Sequence, residues 1–236
     1  MRSRIGLLIL AGLCCRGPSS HGQILQRGQH GFAASYVVVD FNFAGDETPL
    51  GRYDYQGPAY GLSYTTANLR GLVAYGRKGN GHTLVDVSVS GWTVLDFSLS
   101  AVAATKLGIP VGILVGWRRV TTTPGLEPYG VSSLAAGAGG LLEREFSAVS
   151  RLTLRASPFV GITGSALTDQ VGLSWMAEAD AHLEFDEALG GTGLIVGYML
   201  RYQVWNVNGS GPFSHAVDEN LDYNGVMHVI RAGIRF

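Results

Sequence analysis

Cysteine is nearly absent: Cys14 and Cys15 are the two the 236-residue chain contains. Both fall in a segment that reads as removable, so no disulfide framework and no thiolate metal site is expected in what remains. Nor is there an apolar run of about 18 residues, which excludes a membrane-spanning helix. Charge is scarce as well, with Asp, Glu, Lys and Arg at 15% of the chain. The formal net charge is −1; without Arg2, Arg4 and Arg16 it falls to near −4, with 14 basic residues against 18 acidic ones. That balance leaves no basic footprint for nucleic acid. Phosphate-loop spacing is missing too, and no cofactor is expected.

Glycine, by contrast, is abundant at 34 residues. Low charge with high glycine fits a lipid-facing or tightly turned β protein better than a soluble helical domain. The N-terminus has another character. Met1-Arg2-Ser3-Arg4 is basic, Ile5 to Leu13 is apolar, and Ser20-x-Gly22 is a small-residue cleavage site. Residues 1–22 therefore read as a secretory signal peptide. Leu13 before Cys14 is larger than a lipidation signal wants. Residues 23–31 form a short N-terminal segment and 32–236 the folded unit.

After residue 31 the dominant signal is alternation with a period of two, the mark of strands with two chemically different faces. Leu173, Trp175, Ala177, Ala179, Ala181, Leu183 and Phe185 point one way; Ser174, Met176, Glu178, Asp180, His182 and Glu184 point the other. The pattern predicts about ten strands, near 32–43, 58–66, 69–78, 82–99, 109–121, 131–146, 151–164, 172–186, 193–207 and 225–236, with eight or twelve as counting alternatives. Hairpin-joined antiparallel strands close most simply as an up-and-down barrel. Connections are longer on one rim (Ala44–Gln56, Thr122–Gly130, Asn208–Asn224) and mostly shorter on the other, the arrangement of an outer-membrane barrel with both mature termini in the periplasm. The fold class is thus all-β: an up-and-down antiparallel transmembrane β-barrel.

Aromatic placement orients the faces. Tyr64, Phe97, Phe146, Phe185 and Phe236 end alternate strands on the apolar parity, which reads as an aromatic girdle at the membrane–water interface. Phe41, Phe43, Tyr75, Trp117, Trp175 and Tyr202 fall on apolar parities toward the other rim. The last strand alternates Ile230, Ala232, Ile234 and Phe236. This resembles the C-terminal targeting strand of small bacterial outer-membrane β-barrel proteins, although His228 stands where that pattern usually carries an apolar residue. The resemblance implies export to the bacterial outer membrane, insertion by the barrel-assembly machinery, and outer-membrane lipid as a partner.

With the apolar face out, the bore receives Asp40, Asp86, Asp96, Glu143, Glu145, Glu178, Asp180, His182 and Glu184. It also receives Arg70, Arg118, Arg151, Arg155, Arg201, Arg231 and Arg235. Eight carboxylates against seven guanidiniums must pair if they are buried in a narrow barrel. The leading expectation is a bore mostly plugged by ion pairs, with a structural or surface-interaction role through the extracellular loops toward an unidentified ligand. Inward Gly112, Gly116, Gly137, Gly139 and Gly161 favour the alternative, a narrow channel for small solutes. A third reading is a membrane-embedded hydrolase or lipid A-modifying enzyme, for which Glu178, Asp180, His182 and Glu184 offer acid–base groups. No second His accompanies His182 at matching height, so no metal site is expected; His215 lies in the longest loop with Ser214, Asp218 and Glu219.

Overall fold

The computed structural model describes residues 30–45, 53–79, 81–97, 104–122, 128–165, 171–207 and 221–236. The proposed signal peptide, the Cys pair, His215 and most of the long 208–224 connection lie outside them. The described chain is all strand: β1 (Gly31–Gly45), β2 (Tyr55–Thr65), β3 (Leu69–Arg77), β4 (Thr83–Phe97), β5 (Thr105–Thr121), β6 (Tyr129–Ala138), β7 (Gly140–Ser147), β8 (Ser150–Ser165), β9 (Val171–Leu189), β10 (Thr192–Val207) and β11 (Leu221–Arg235).

Apart from β6 and β7, which do not pair with each other, strands adjacent in the chain pair antiparallel, and β1 pairs with β11 in unbroken register from Gly31↔Arg235 to Gly45↔Leu221. The sheet therefore has no free edge. β6 and β7 share one place in the wall, since both lie between β5 and β8. The result is a closed meander with ten places, the fold class expected from the alternation. Closure satisfies every backbone ladder within the wall, the condition a bilayer imposes on a spanning sheet.

The two faces of the wall are chemically inverted relative to a soluble barrel. Outward residues are large and apolar: Phe32, Tyr60, Leu62, Val73, Leu95, Val160, Trp175 and Ile230 are each about half exposed or more. Inward residues include buried Arg70, Asp86, Arg118, Arg155, Glu178, Asp180, Arg201 and Arg231.

Turn chemistry explains the short rim. Between β9 and β10 the chain reverses at Gly190 and Gly191, both with positive φ (60° and 99°), the geometry of a two-residue hairpin whose twist matches its strands. Several inward glycines have another cause. A Cβ on Gly139 would strike the Ala156 carbonyl oxygen, and one on Gly161 the Leu134 carbonyl oxygen. Glycine permits the concave corners through which the wall bends, so neighbouring backbone occupies the space a side chain would take there.

Two expectations about β1 need correction. Asp40 points outward and is exposed, whereas Phe41 and Phe43 are buried inside. Charge and apolarity misassign this strand because both of its faces are apolar below Asp40: Phe32, Tyr36 and Val38 face out, Val37 and Val39 face in. Asp40 stands at the loop end, where its outward neighbours Asn42, Gln56 and Asn224 are also polar.

Candidate functional site

Inside the barrel, side chains stack in three tiers from the loop end to the end where β1 begins and β11 finishes. The first is aromatic. Phe43 packs edge-on to Tyr129 (5.0 Å between centroids) and Tyr53 (5.4 Å), and Tyr223 stacks between Phe41 (5.4 Å) and Trp205 (5.6 Å). These rings are almost wholly buried.

Arg118 forms the floor of this tier. Register places it opposite Asp86, and its Nε and Nη2 donate to Asp86 Oδ2 at 2.8 and 2.5 Å. Nη2 also donates to Gln203 Oε1 at 2.9 Å. Its guanidinium lies 3.5 Å from the Phe41 ring centroid and 4.8 Å from that of Trp205. A planar delocalised cation can bond a carboxylate along its edge while its face meets an aromatic ring, which an ammonium cannot do.

The second tier is ionic and centres on Glu178 and Asp180, adjacent inward positions of β9. Glu178 accepts from Arg155 Nη2 (2.7 Å), Arg201 Nη2 (2.9 Å) and Arg70 Nη2. Asp180 accepts from Arg70 Nη1 (2.6 Å) and Arg231 Nη2 (2.9 Å), and lies 2.9 Å from His182 Nδ1. Arg201 also donates to Ser88 Oγ on β4 at 3.0 Å, while the Arg155 guanidinium lies 3.8 Å from the Trp92 ring centroid. Each carboxylate thus meets several charge-assisted donors, the arrangement that offsets the cost of burying it.

The third tier opens toward solvent. Arg235 binds Glu184 and reaches Asp186 Oδ1 at 3.2 Å. His182 Nε2 lies 3.4 Å from Glu184 Oε1. Arg151 meets Glu145 at 3.5 Å with both side chains partly exposed. Glu143 is half-buried and Asp96 is exposed, away from the buried cluster.

The residues expected in the bore therefore separate into groups. Arg155, Glu178, Asp180, His182, Arg201 and Arg231 converge with Arg70 in the middle tier. Asp86 and Arg118 form a separate pair under the aromatic rings. Arg151, Glu145, Glu184 and Arg235 line the mouth. The outward rim residues Phe97, Phe146, Phe185 and Phe236 are exposed at the end of the barrel where the termini meet; Tyr64 is half-buried against Phe32 (4.9 Å) and bonded to His30 Nδ1 at 2.6 Å. Ile230 and Ile234 are exposed on that same outward face, as is Ala232.

Sequence reasoning missed Asp186 and the aromatic tier. Tyr53, Tyr129 and Tyr223 lie just before the strand starts expected at 58, 131 and 225. For Tyr223 the signal was present: extending the inward parity of Met227 and Gly225 by one step reaches it.

No protein-family model and no curated protein matches the chain. Solved structures similar to it include the outer membrane protease OmpT from Escherichia coli, at 8% identity over 89% of this chain and 93% of that one, with a TM-score of 0.39. Neisserial surface protein A matches at 12% identity over 88% and 97%, TM-score 0.32. The attachment invasion locus protein Ail of Yersinia pestis matches at 12% over 89% and 99%, TM-score 0.25.

Proposed function

We propose that this chain is an integral barrel of the bacterial outer membrane whose bore is closed by its own side chains, leaving it a structural or surface-interaction role at its loop end. One observation carries the closure. Arg70 on β3 bonds Glu178 and Asp180 on β9, and these strands stand five places apart in either direction round the ten-place wall. Arg201 on β10 and Ser88 on β4 bridge an equally opposite pair. Contacts that cross the full diameter leave side chains where an aqueous path would run, in keeping with the narrow bore of small barrels. The aromatic tier seals the same bore nearer the loops.

Support for a membrane setting comes from the outward face. Large apolar residues stand exposed on the outward face around the wall, a surface that greatly exceeds the patches a soluble monomer exposes. Aromatic residues gather at its edges, as they do at lipid–water interfaces.

Planar-bilayer recording of the purified full chain tests closure. No sustained single-channel current is expected. A steady current whose size changes in Arg201→Ala or Glu178→Ala would replace the plugged barrel with a conducting one.

A further inference from the structure

We propose that the outward face of β3, β4 and β5 at the loop end binds the phosphate of a membrane lipid. The proposal rests on the membrane setting argued above. Arg118 and Arg119 are sequence neighbours with opposite fates. Arg118 points inward and is held by Asp86; Arg119 points outward and is exposed. Arg77 on β3 is likewise outward and exposed. Among the described residues no carboxylate pairs with Arg77 or Arg119, although every arginine in the middle tier of the bore has one.

Register brings the two together. Tyr75, Val85 and Arg119 form one row across β3, β4 and β5, and Arg77, Thr83 and Thr121 form the next row toward the loops. Two strand spacings place the arginine columns about 10 Å apart, a gap that two long side chains leaning together can close on one headgroup. Thr83 and Thr121 lie in the outer row with hydroxyl donors. Beneath them Tyr75 and Trp117 are exposed on the same outward face, where aromatic rings mark the headgroup level.

The chemistry selects a phosphate. Guanidiniums at the edge of an apolar band extend toward the interface, where the planar fork of each can take two oxygens of a multiply accepting oxyanion such as a phosphate. Lys78 is turned elsewhere, over the Tyr55 ring. Farther round the wall, beyond β2, β1 and β11 present Asp40, Asn42 and Asn224 at their outward loop ends, so the cationic edge is local and not a uniform belt.

The test reconstitutes the full chain into phosphatidylcholine vesicles, confirms insertion by flotation, and measures retention of added phosphatidic acid or diacylglycerol by native mass spectrometry. Phosphatidic acid should be retained in preference to diacylglycerol. Arg77→Gln with Arg119→Gln should weaken that retention about thirtyfold, near the sum of two interfacial cations. Arg144→Gln, at the opposite rim beside Phe146, should leave it unchanged. A double variant that floats normally and keeps phosphatidic acid as the parent does would overturn the site alone. Equal retention of the two lipids by the parent would do the same. A parent chain that fails to float with vesicles would overturn the membrane reading and the site with it.

Discussion

Glu178 accepts from three arginines, with Arg70, Arg155 and Arg201 all bonded to its two oxygens. The chain contains fifteen arginines and two lysines, and each cation bonded to Glu178 or to Asp180, apart from His182, is an arginine. A guanidinium offers five donors in a fixed plane, so Arg70 can serve both carboxylates at once. Removing the shared acceptor leaves three buried guanidiniums short of a counter-charge. Glu178→Ala is expected to cost ~3–5 kcal/mol, the range for breaking a buried ion pair from one side. Glu145→Ala, whose side chain is 48% exposed beside Arg151, should cost below about 1 kcal/mol. Unfolding midpoints in guanidinium chloride, with both variants in the same detergent, compare them directly. Equal shifts would mean that Glu178 is no more deeply coupled than a rim residue.

At the scale of the element, the tenth place in the wall is built from two strands, β6 and β7, that meet at Gly139. Pro110 on β5 and Pro158 on β8 lie beside the junction and bring no N–H to either ladder. Gly139 still donates to the Pro110 carbonyl at 3.0 Å, which keeps the two halves in line. Any side chain at 139 would strike the Ala156 carbonyl oxygen and Ser157. Gly139→Val should therefore destabilise the barrel by ~1–3 kcal/mol, as overpacking does in a filled interior. Gly140→Val, where a Cβ would meet nothing within 4 Å, should not. Heat-modifiable migration on cold gels reports the folded fraction of each, and a Gly139→Val barrel as stable as Gly140→Val would show that the corner can relax. This break was not legible in the sequence, where 131–146 reads as one alternating strand. Parity passes through Gly139 unchanged, from Gly137 to Leu141, so period-two reasoning has nothing to detect. β1 defeats the same reasoning for the opposite reason, because apolar residues occupy both of its faces and only three-dimensional packing decides which aromatic ring is inside.

For the whole molecule, alternation is enough to place Glu178, Asp180, Arg201 and Arg231 on one face, since each lies on a strand whose other face is apolar through its middle, His228 on β11 excepted. It could not say that Arg70 meets Glu178, 108 residues away. That pairing depends on the strand number: ten places set β3 opposite β9, and eight or twelve would set it opposite another strand. The same closure decides what the outward face must meet, and this can be measured. Val73 lies at the middle of β3, outward and 53% exposed. In water a charged residue at so exposed a position would change stability by no more than about 0.5 kcal/mol. Against hydrocarbon, Val73→Arg should cost ~2–4 kcal/mol, falling to about 0–1 kcal/mol near the interface. Asn42→Arg, outward at the loop end of β1, supplies the interfacial comparison. Both variants, refolded into vesicles and unfolded in guanidinium chloride, should differ by the depth dependence. A Val73→Arg barrel no less stable than Asn42→Arg would mean that this apolar wall faces water, and with it both the outer-membrane assignment and the lipid-phosphate site would fall.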